Sequence, residues 1–195
     1  MPRQKEFDQA EALARAMDTF WRQGYEAASI ADLEGQMRIG RGSMYLAFGD
    51  KHSLFVAALD AYCDKVVEGL SKAIHGAAST KEGLAVFLAM RLEEVSLQPE
   101  SKGCFLSNAI AELAPRDERV TEIATRTLSR LEETIYTSLL RDRKAGRLPK
   151  GKRPRALARY LVSSIQGLTV MSRVGMGVAT LRDIVGVLLD TLAVD

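Results

Sequence analysis

Residues 29–51, SIADLEGQMRIGRGSMYLAFGDK, decide the fold of the N-terminal part of this chain. They predict one short helix from Ser29, a tight turn, and a second short helix that begins with Gly40, Arg41 and Gly42. A capped helix, a brief turn and a helix that opens with small residues and a guanidinium are typical of a helix-turn-helix that reads DNA. The stretch therefore predicts a helical protein that binds in a major groove.

Capping signals set the helix boundaries around this stretch. The first helix is predicted over residues 8–23 and ends at Gly24, because glycine suits the backbone at a helix C-terminus. Ser29 is the predicted N-cap of the second helix, with Asp32 three residues later as its capping-box-like partner. Asp50 is the predicted N-cap of a longer fourth helix. Three short helices thus precede a long one.

The composition predicts an all-α chain with about nine helices. Of 195 residues, 47% are hydrophobic and only 5 are proline, and strand-like alternation is nearly absent. Further helices are predicted over residues 80–97, 104–113, 116–145, 154–174 and 178–192. We divide the chain into an N-terminal three-helix helix-turn-helix domain, residues 1–52, and a C-terminal helical domain, residues 53–195.

Charge, cysteine and hydropathy patterns narrow the class of protein. Residues 1–52 carry seven Lys or Arg and eight Asp or Glu, so DNA affinity would depend on the placement of a few cations. Cys63 and Cys104 match no metal-ligand spacing, and we predict no metal and no cofactor. The charged N-terminus predicts no signal peptide, and no apolar run is long enough to span a bilayer. We therefore expect a cytoplasmic protein without a membrane partner.

The start of the third helix carries most of the predicted DNA contacts. Gly40, Gly42 and Ser43 are small enough for the backbone to approach a phosphate. The Arg41 fork can bond a guanine or hold a phosphate, and Tyr45, one turn later, has the reach for a phosphate oxygen.

Two further phosphate contacts are predicted from the neighbouring helices, at Ser29 and at Lys51. The alternative is an ordinary helical hairpin in which Arg41 and Lys51 are only solvated, since helix-turn-helix geometry also occurs in proteins that bind no DNA.

These residues resemble the N-terminal domain of TetR-family transcription regulators. The matching positions are Phe20, Gly24-Tyr25, Ser29-Ile30-Ala31-Asp32-Leu33, Arg41-Gly42-Ser43-Met44-Tyr45, Phe48, Lys51 and Leu54. The later part of the chain is similar to the effector domain of one TetR subgroup at Gly103-Cys104-Phe105, Asn108, Glu112, Ala158 and Gln166-Gly167-Leu168. The resemblance implies a repressor that a small-molecule effector releases from a palindromic double-stranded operator.

The resemblance also implies a role for each DNA-binding position. Groove-facing roles fall on Arg41, Gly42, Ser43 and Leu46. Phosphate-holding roles fall on Ser29, Tyr45 and Lys51.

Two positions depart from the family pattern. Arg38 stands where the family usually has glycine, at a position expected to need a left-handed backbone, and it adds a cation near the DNA. Leu46 and Ala47 are apolar where relatives are often aromatic, His or Asn, which favours contact with thymine methyl groups.

In proteins with this resemblance the last two helices build a two-fold dimer, so residues 53–195 would form an effector-binding and dimerisation domain. Two apolar stripes fit that role, and they also fit the alternative of closing the monomer's own core. The candidate interface residues are Leu157, Leu161, Ile165, Leu168, Leu181, Ile184 and Leu188.

A ligand pocket is expected among helices four to eight, mainly apolar with a few orienting polar groups. The amides of Asn108 and Gln166 are the candidate orienting groups, and plain core packing is the alternative role for every member of the set. The candidate lining residues are Phe87, Met90, Phe105, Asn108, Tyr136, Gln166 and Met171.

Other functions fit the sequence less well. His52 and His75 lie near helix ends with no nucleophile or metal partner nearby in sequence, so we predict no catalytic residue and no enzyme. A redox-responsive regulator that uses Cys63 or Cys104 is one alternative, and a helical interaction protein without DNA binding is another.

Overall fold

The computed structural model describes residues 7–97, 102–148 and 150–193, so the charged positions 3, 5 and 6 lie outside the described residues. The described residues form nine α-helices and a short 3-10 helix, Ala114–Arg116, and the all-α prediction is confirmed. The α-helices are α1 (Gln9–Gln23), α2 (Ile30–Met37), α3 (Arg41–Phe48), α4 (Lys51–His75), α5 (Thr80–Leu97), α6 (Phe105–Glu112), α7 (Glu118–Lys144), α8 (Pro154–Arg173) and α9 (Val178–Asp190).

The predicted caps start the helices of the N-terminal part. Ser29 and Asp32 form a full capping box: the Ser29 hydroxyl accepts from the backbone of Asp32, and the Asp32 carboxylate accepts from the backbone of Ser29. Hydrogen bonds from Ser29 lower the pKa of Asp32. Asp50 accepts from the Ser53 backbone at 2.7 Å and caps α4. Local side-chain chemistry therefore defines both ends of the recognition segment.

The start of α7 differs from the predicted helix over residues 116–145. Ala114–Arg116 forms a 3-10 turn, and α7 begins at Glu118 with Asp117 as its N-cap. The Asp117 carboxylate accepts from the Val120 backbone at 3.1 Å. Two helical segments thus meet at Asp117, where an uninterrupted helix was expected.

The core consists of two clusters that share α4. One cluster joins α1–α3 to the first half of α4, to α6 and to the start of α7. At its centre the ring of Phe55 lies edge-on to Phe20 at 5.1 Å and to Phe105 at 5.4 Å. The other cluster fills the space between the second half of α4 and helices α5, α7, α8 and α9. The long helix α4 is therefore part of both halves.

The turn after α1 is attached to α6 through one carboxylate. Glu112 accepts from the backbone N–H of Tyr25 at 3.0 Å and from that of Glu26 at 2.9 Å. Gly24 has φ +85°, and a Cβ there would lie 2.8 Å from Glu112 Oε2. Only glycine combines this left-handed backbone with the space that the carboxylate occupies.

Helix α5 lies close against the backbone of α4 at Gly83. A Cβ at this position would lie 2.7 Å from Ile74 Cα and 3.1 Å from the Ala73 carbonyl oxygen. Both neighbours are backbone atoms, so they cannot move aside without moving α4.

We predict that Gly83→Ala lowers the free energy of unfolding by about 1–3 kcal/mol, because the methyl group forces α4 and α5 apart. Denaturant melts followed by circular dichroism measure the change. Gly69→Ala is the matched control in the same helix pair, since its Cβ would meet only Phe87 Cε2 at 3.9 Å. Equal stability of the two variants would contradict the close approach at Gly83.

Candidate nucleic-acid interface and ligand cavity

The N-terminus of α3 presents an open backbone surface. A Cβ at Gly40 or at Gly42 would meet no atom within 4 Å, and neither residue has a positive φ. Nothing inside the described residues therefore requires glycine at these two positions. Small residues on an open helix start leave room for another molecule to approach the backbone.

The side chains of α3 divide into a buried face and an exposed face. Met44 is 1% exposed and packs into the core, whereas Leu46 is 73% exposed and Tyr45 is 41% exposed. Arg41 is exposed, and its Nη2 lies 3.5 Å from Glu34 Oε2 in α2. An exposed ion pair of this length is weak, so the guanidinium can leave Glu34 for another anion.

The two predicted phosphate contacts outside α3 lie on the same part of the molecule, at helix starts. Ser29 donates its hydroxyl hydrogen to Asp32 at 2.6 Å, so its side chain is already used within the capping box. Lys51 opens α4, with Nζ 4.6 Å from the centre of the Tyr25 ring and 3.4 Å from the Glu26 carbonyl oxygen. These contacts keep the Ser29 side chain at the N-terminus of α2 and the Lys51 side chain at the N-terminus of α4.

Arg38 has the backbone conformation expected from its position in the turn. Its φ is 58° and its ψ is 34°, and among the described residues other than glycine it is the one with positive φ. The residue also ends α2, with its backbone N–H donated to the Glu34 carbonyl oxygen at 3.0 Å. An arginine thus occupies a left-handed position where glycine would carry no strain.

A cavity of about 110 Å³ lies between α1 and the C-terminal helices. Its wall is mostly apolar, with contributions from α4, α5, α7, α8 and α9. Trp21 of α1 closes it on the side of the helix-turn-helix, beside Lys102, Gly103 and Cys104 from the segment before α6. The cavity therefore touches both halves of the chain.

Two of the seven predicted pocket residues, Phe87 and Gln166, line this cavity. Phe105 is 1% exposed within the core beneath α1, and Met90 is 52% exposed at the surface. The Asn108 amide donates to the Lys102 carbonyl oxygen at 3.0 Å, so it holds the segment before α6.

The other two predicted pocket residues also lie outside the lining. Tyr136 lies beneath the Arg155 guanidinium at 3.5 Å, and Met171 packs against the second core cluster. The sequence analysis missed Trp21 and the charged residues Arg91 and Lys102 as members of the lining. A charged residue between apolar positions, as Arg91 is between Met90 and Leu92, was the available signal.

The cavity wall also joins α1 to the C-terminal half. The Trp21 indole N–H donates to the Gly103 carbonyl oxygen at 3.2 Å. Lys102 Nζ lies 4.6 Å from the centre of the Trp21 ring and 2.6 Å from Asp18 Oδ1. Movement of the segment before α6 would therefore act directly on the first helix of the helix-turn-helix.

The two cysteines are free and buried, and their surroundings differ. Burial raises the pKa of the Cys63 thiol to about 12, so this thiol stays protonated at neutral pH. Cys104 lines the cavity and accepts a hydrogen bond from the Tyr62 hydroxyl at 3.5 Å. These surroundings argue against Cys63 as a reactive group.

The predicted dimer stripes lie within the chain's own core. Five of their residues are at most 8% exposed and belong to the second cluster, so a second copy could not reach them; these are Leu157, Leu161, Leu168, Leu181 and Leu188. Ile165 and Ile184 are partly buried against the same cluster. Five of the seven candidates are thus buried within one chain, which agrees with the alternative that the stripes close the monomer's own core.

A different face of α8 and α9 is apolar and exposed. Val170, Val174 and Val187 are 56%, 75% and 67% exposed, and Tyr160 is 45% exposed. Gly167 lies between Tyr160 and Val174 at seven-residue spacing, and a Cβ there would meet no atom within 4 Å. The helix pair thus offers a surface on which another helix can pack closely.

No helix within the described ranges is both long enough and apolar enough to cross a membrane.

Both halves of the chain match known protein families. Residues 12–58 match the family described as "Bacterial regulatory proteins, tetR family". Residues 80–184, more than half of the chain, match the family described as "Tetracyclin repressor-like, C-terminal domain". The first match contains the helix-turn-helix, and the second contains most of the cavity wall.

Whole-chain relatives agree with these matches. The chain is 32% identical to the uncharacterized HTH-type transcriptional regulator YezE of Bacillus subtilis strain 168, over 98% of this chain and 100% of the relative. It is 29% identical to the HTH-type transcriptional repressor ComR of Escherichia coli strain K12, over 94% and 88% of the two chains.

A solved structure of CifR, a TetR family transcriptional regulator complexed as a cysteine mutant with 26-base-pair double-strand operator DNA, superposes with a TM-score of 0.85. The similarity covers 96% of this chain and 98% of that one, at 29% identity. The helix-turn-helix, the two family matches and these relatives lead to one conclusion: the chain belongs to the TetR family of bacterial transcriptional regulators.

Proposed function

We propose that the protein is a repressor that binds a palindromic operator as a homodimer and leaves it when a small-molecule effector occupies the cavity. The observation that carries the proposal is the open start of α3, where Gly40 and Gly42 have no internal packing role beside the exposed Arg41. Proteins of this family are transcription regulators, so we also propose that the chain has no catalytic role and acts in the cytoplasm.

Each side chain around α3 has a role that its exposure allows. Arg41 reads a base edge or holds a phosphate, and Leu46 contacts thymine methyl groups. Gly42 and Ser43 let the backbone approach the DNA. The phosphates on either side are held by Arg38, Tyr45 and Lys51, and by Ser29 when its hydroxyl hydrogen turns from Asp32 to the phosphate.

The exposed apolar face of α8 and α9 is our proposed dimer interface. Val170 and Val187 are apolar and more than half exposed, so a second copy that covers them would gain stability from their burial. Two-fold pairing through this face would present two α3 helices to half-sites about one helical turn apart, ~34–36 Å.

The effector would act through the cavity wall. Trp21, which belongs to α1, and Lys102, which pairs with Asp18 of α1, both line the cavity. A ligand that changes the positions of these side chains therefore also changes the position of α1. To release the operator, the ligand must bind more tightly to the state in which the two α3 helices no longer match successive grooves.

Arg41→Ala tests the DNA contact. We expect selective binding to the operator to weaken by about 1–3 kcal/mol if Arg41 reads a base. A mobility-shift assay with DNA from upstream of the protein's own gene measures this against a scrambled duplex. Arg143→Ala, at the far end of α7, is the matched control. Absence of any sequence-selective shift by the unaltered protein would refute the repressor proposal, and equal weakening on both duplexes would make Arg41 a phosphate contact.

Arg38→Gly separates backbone strain from charge. We expect the free energy of unfolding to rise by up to about 1 kcal/mol, because glycine accepts φ 58° without strain. If Arg38 holds a phosphate, the slope of log affinity against log salt concentration also becomes smaller in magnitude by about one. Arg38→Ala is the control, since it removes the charge and keeps the strain. Equal thermal stability of the glycine and alanine variants would count against strain at this turn.

A double variant, Val170→Glu with Val187→Glu, tests the dimer face. We expect it to run as a monomer of 21.4 kDa in light scattering, because two buried carboxylates per subunit would destabilise the interface. Val86→Glu is the control, since Val86 is 52% exposed and lies on another helix, α5. A double variant that still has twice the monomer mass would place the interface elsewhere.

A further inference from the structure

We propose that the effector is a small organic acid, with its apolar body in the cavity and its carboxylate beside Arg91 and Lys102. This inference rests on the proposed function, because it takes the cavity to be the effector site. It goes further by naming the chemical class of the ligand and the two cations that recognise it.

The cavity limits the size of the ligand. Its volume is about 110 Å³, and side chains such as Val66, Leu131, Ile135 and Val162 form an apolar wall. An apolar cavity of about 150 Å³ accepts benzene. The apolar body is therefore comparable to a short alkyl chain or one small ring.

Arg91 has a hydrogen-bond donor without an acceptor. Its Nε is buried and has no hydrogen-bond partner among the described residues. Its Nη1 lies 3.1 Å from Glu94 Oε2, and its guanidinium carbon lies 5.6 Å from the centre of the Phe87 ring. Both Arg91 and Phe87 line the cavity. A carboxylate accepts from a guanidinium through two parallel hydrogen bonds, which would use the unpaired Nε.

Lys102 supplies a second cation at the cavity wall. Its side chain is 13% exposed, whereas that of its partner Asp18 is 48% exposed. Its Nζ lies over the Trp21 ring, and Trp21 contacts Tyr62 with ring centres 4.9 Å apart. Burial raises the pKa of Tyr62 well above its usual value, and the positive charge of Arg91 opposes this rise. Tyr62, Trp21, Arg91 and Lys102 all line the cavity.

The charged side chains of the cavity wall favour an anion. The described lining contains two cations, Arg91 and Lys102, and one carboxylate, Glu94, which pairs with Arg91. Glu94 and Asp18, the partner of Lys102, are each about half exposed. Such carboxylates regain water easily when a ligand replaces them, and exposed ion pairs contribute little to stability. A cationic ligand would meet two cations and one carboxylate in this wall. A neutral ligand would leave Arg91 and Lys102 with the half-exposed partners that they already have.

The same placement connects binding to the helix-turn-helix. A ligand carboxylate beside Lys102 competes with Asp18, which belongs to α1. Loss of that ion pair leaves the C-terminal end of α1 with one fewer contact to the segment before α6, where the hydrogen bond from Trp21 to Gly103 remains. An acid thus has a direct route to the DNA-binding half that a neutral ligand of the same shape lacks.

Trp21 makes the proposal testable without DNA. It is the one tryptophan of the chain, it lines the cavity, and it lies beside Lys102. We would titrate the full-length protein with butanoate, hexanoate and benzoate, and with the amide of each acid, while recording Trp21 fluorescence. We expect a saturable change with at least one acid, and about tenfold or more weaker binding of its amide, because the amide lacks the charge that Arg91 pairs with.

Variants identify the cation. Arg91→Met should weaken binding of that acid about tenfold or more and leave its amide unchanged, since only the charged contact is removed. Arg91→Lys keeps the charge but lacks Nε, and should recover part of the affinity. Arg143→Met, at the end of α7, is the matched control and should bind as the unaltered protein does.

Three outcomes would overturn the assignment. They are saturable binding of amides as tight as that of the acids, unchanged acid binding by Arg91→Met, and no fluorescence response to any acid at millimolar concentration. None of them depends on operator binding, which the mobility-shift assay measures on the same preparation. A protein that shifts its operator but ignores the acids would therefore keep the proposed function and lose the ligand class.

Discussion

The carboxylate of Glu112 in α6 joins the C-terminal half of this molecule to the turn after α1. It accepts hydrogen bonds from the backbone N–H groups of Tyr25 and Glu26, and it does so across the space that a side chain at residue 24 would need. Backbone donors beyond a helix end need partners, and a charged acceptor satisfies two of them at once. One side chain and one glycine therefore attach the end of α1 to α6, in addition to the links that Trp21 and Asp18 make to the segment before α6. His52 and Asp117 add a further link, with 2.6 Å between Nε2 and Oδ2.

Much of the fold was predictable because its signals are local. Ser29, Asp32 and Asp50 specify helix starts through hydrogen bonds that span only three residues. The start of α7 is an exception, because the helix was predicted from residue 116, whereas Arg116 belongs to a 3-10 turn and Asp117 caps α7. The left-handed backbone of Arg38 was also predictable, through the resemblance, since the family usually has glycine at this position of the turn.

The cavity and the dimer face were less predictable, because both depend on which helices meet. Periodicity identified Leu161 and Leu181 as buried but could not say that their partners lie in the same chain. The exposed face of α8 is interrupted by Ser163 and Gly167, so it forms no apolar stripe in the sequence. Arg91 and Lys102 lie eleven residues apart, on α5 and on the segment before α6, and only the packing of these elements places both side chains in the cavity wall.

The first hydrophobic cluster has a consequence for how the DNA-reading part can be used. Its three short helices pack on Leu54 and Phe55 of α4 and on Phe105 of α6, and all three of these side chains are at most 1% exposed. A fragment that ends at residue 52 would contain the recognition helix but would lack the apolar surface on which that helix rests. Helices α1–α3 are thus not an independently folding domain. A fusion or truncation that uses them must include α4 and an apolar surface that replaces α6.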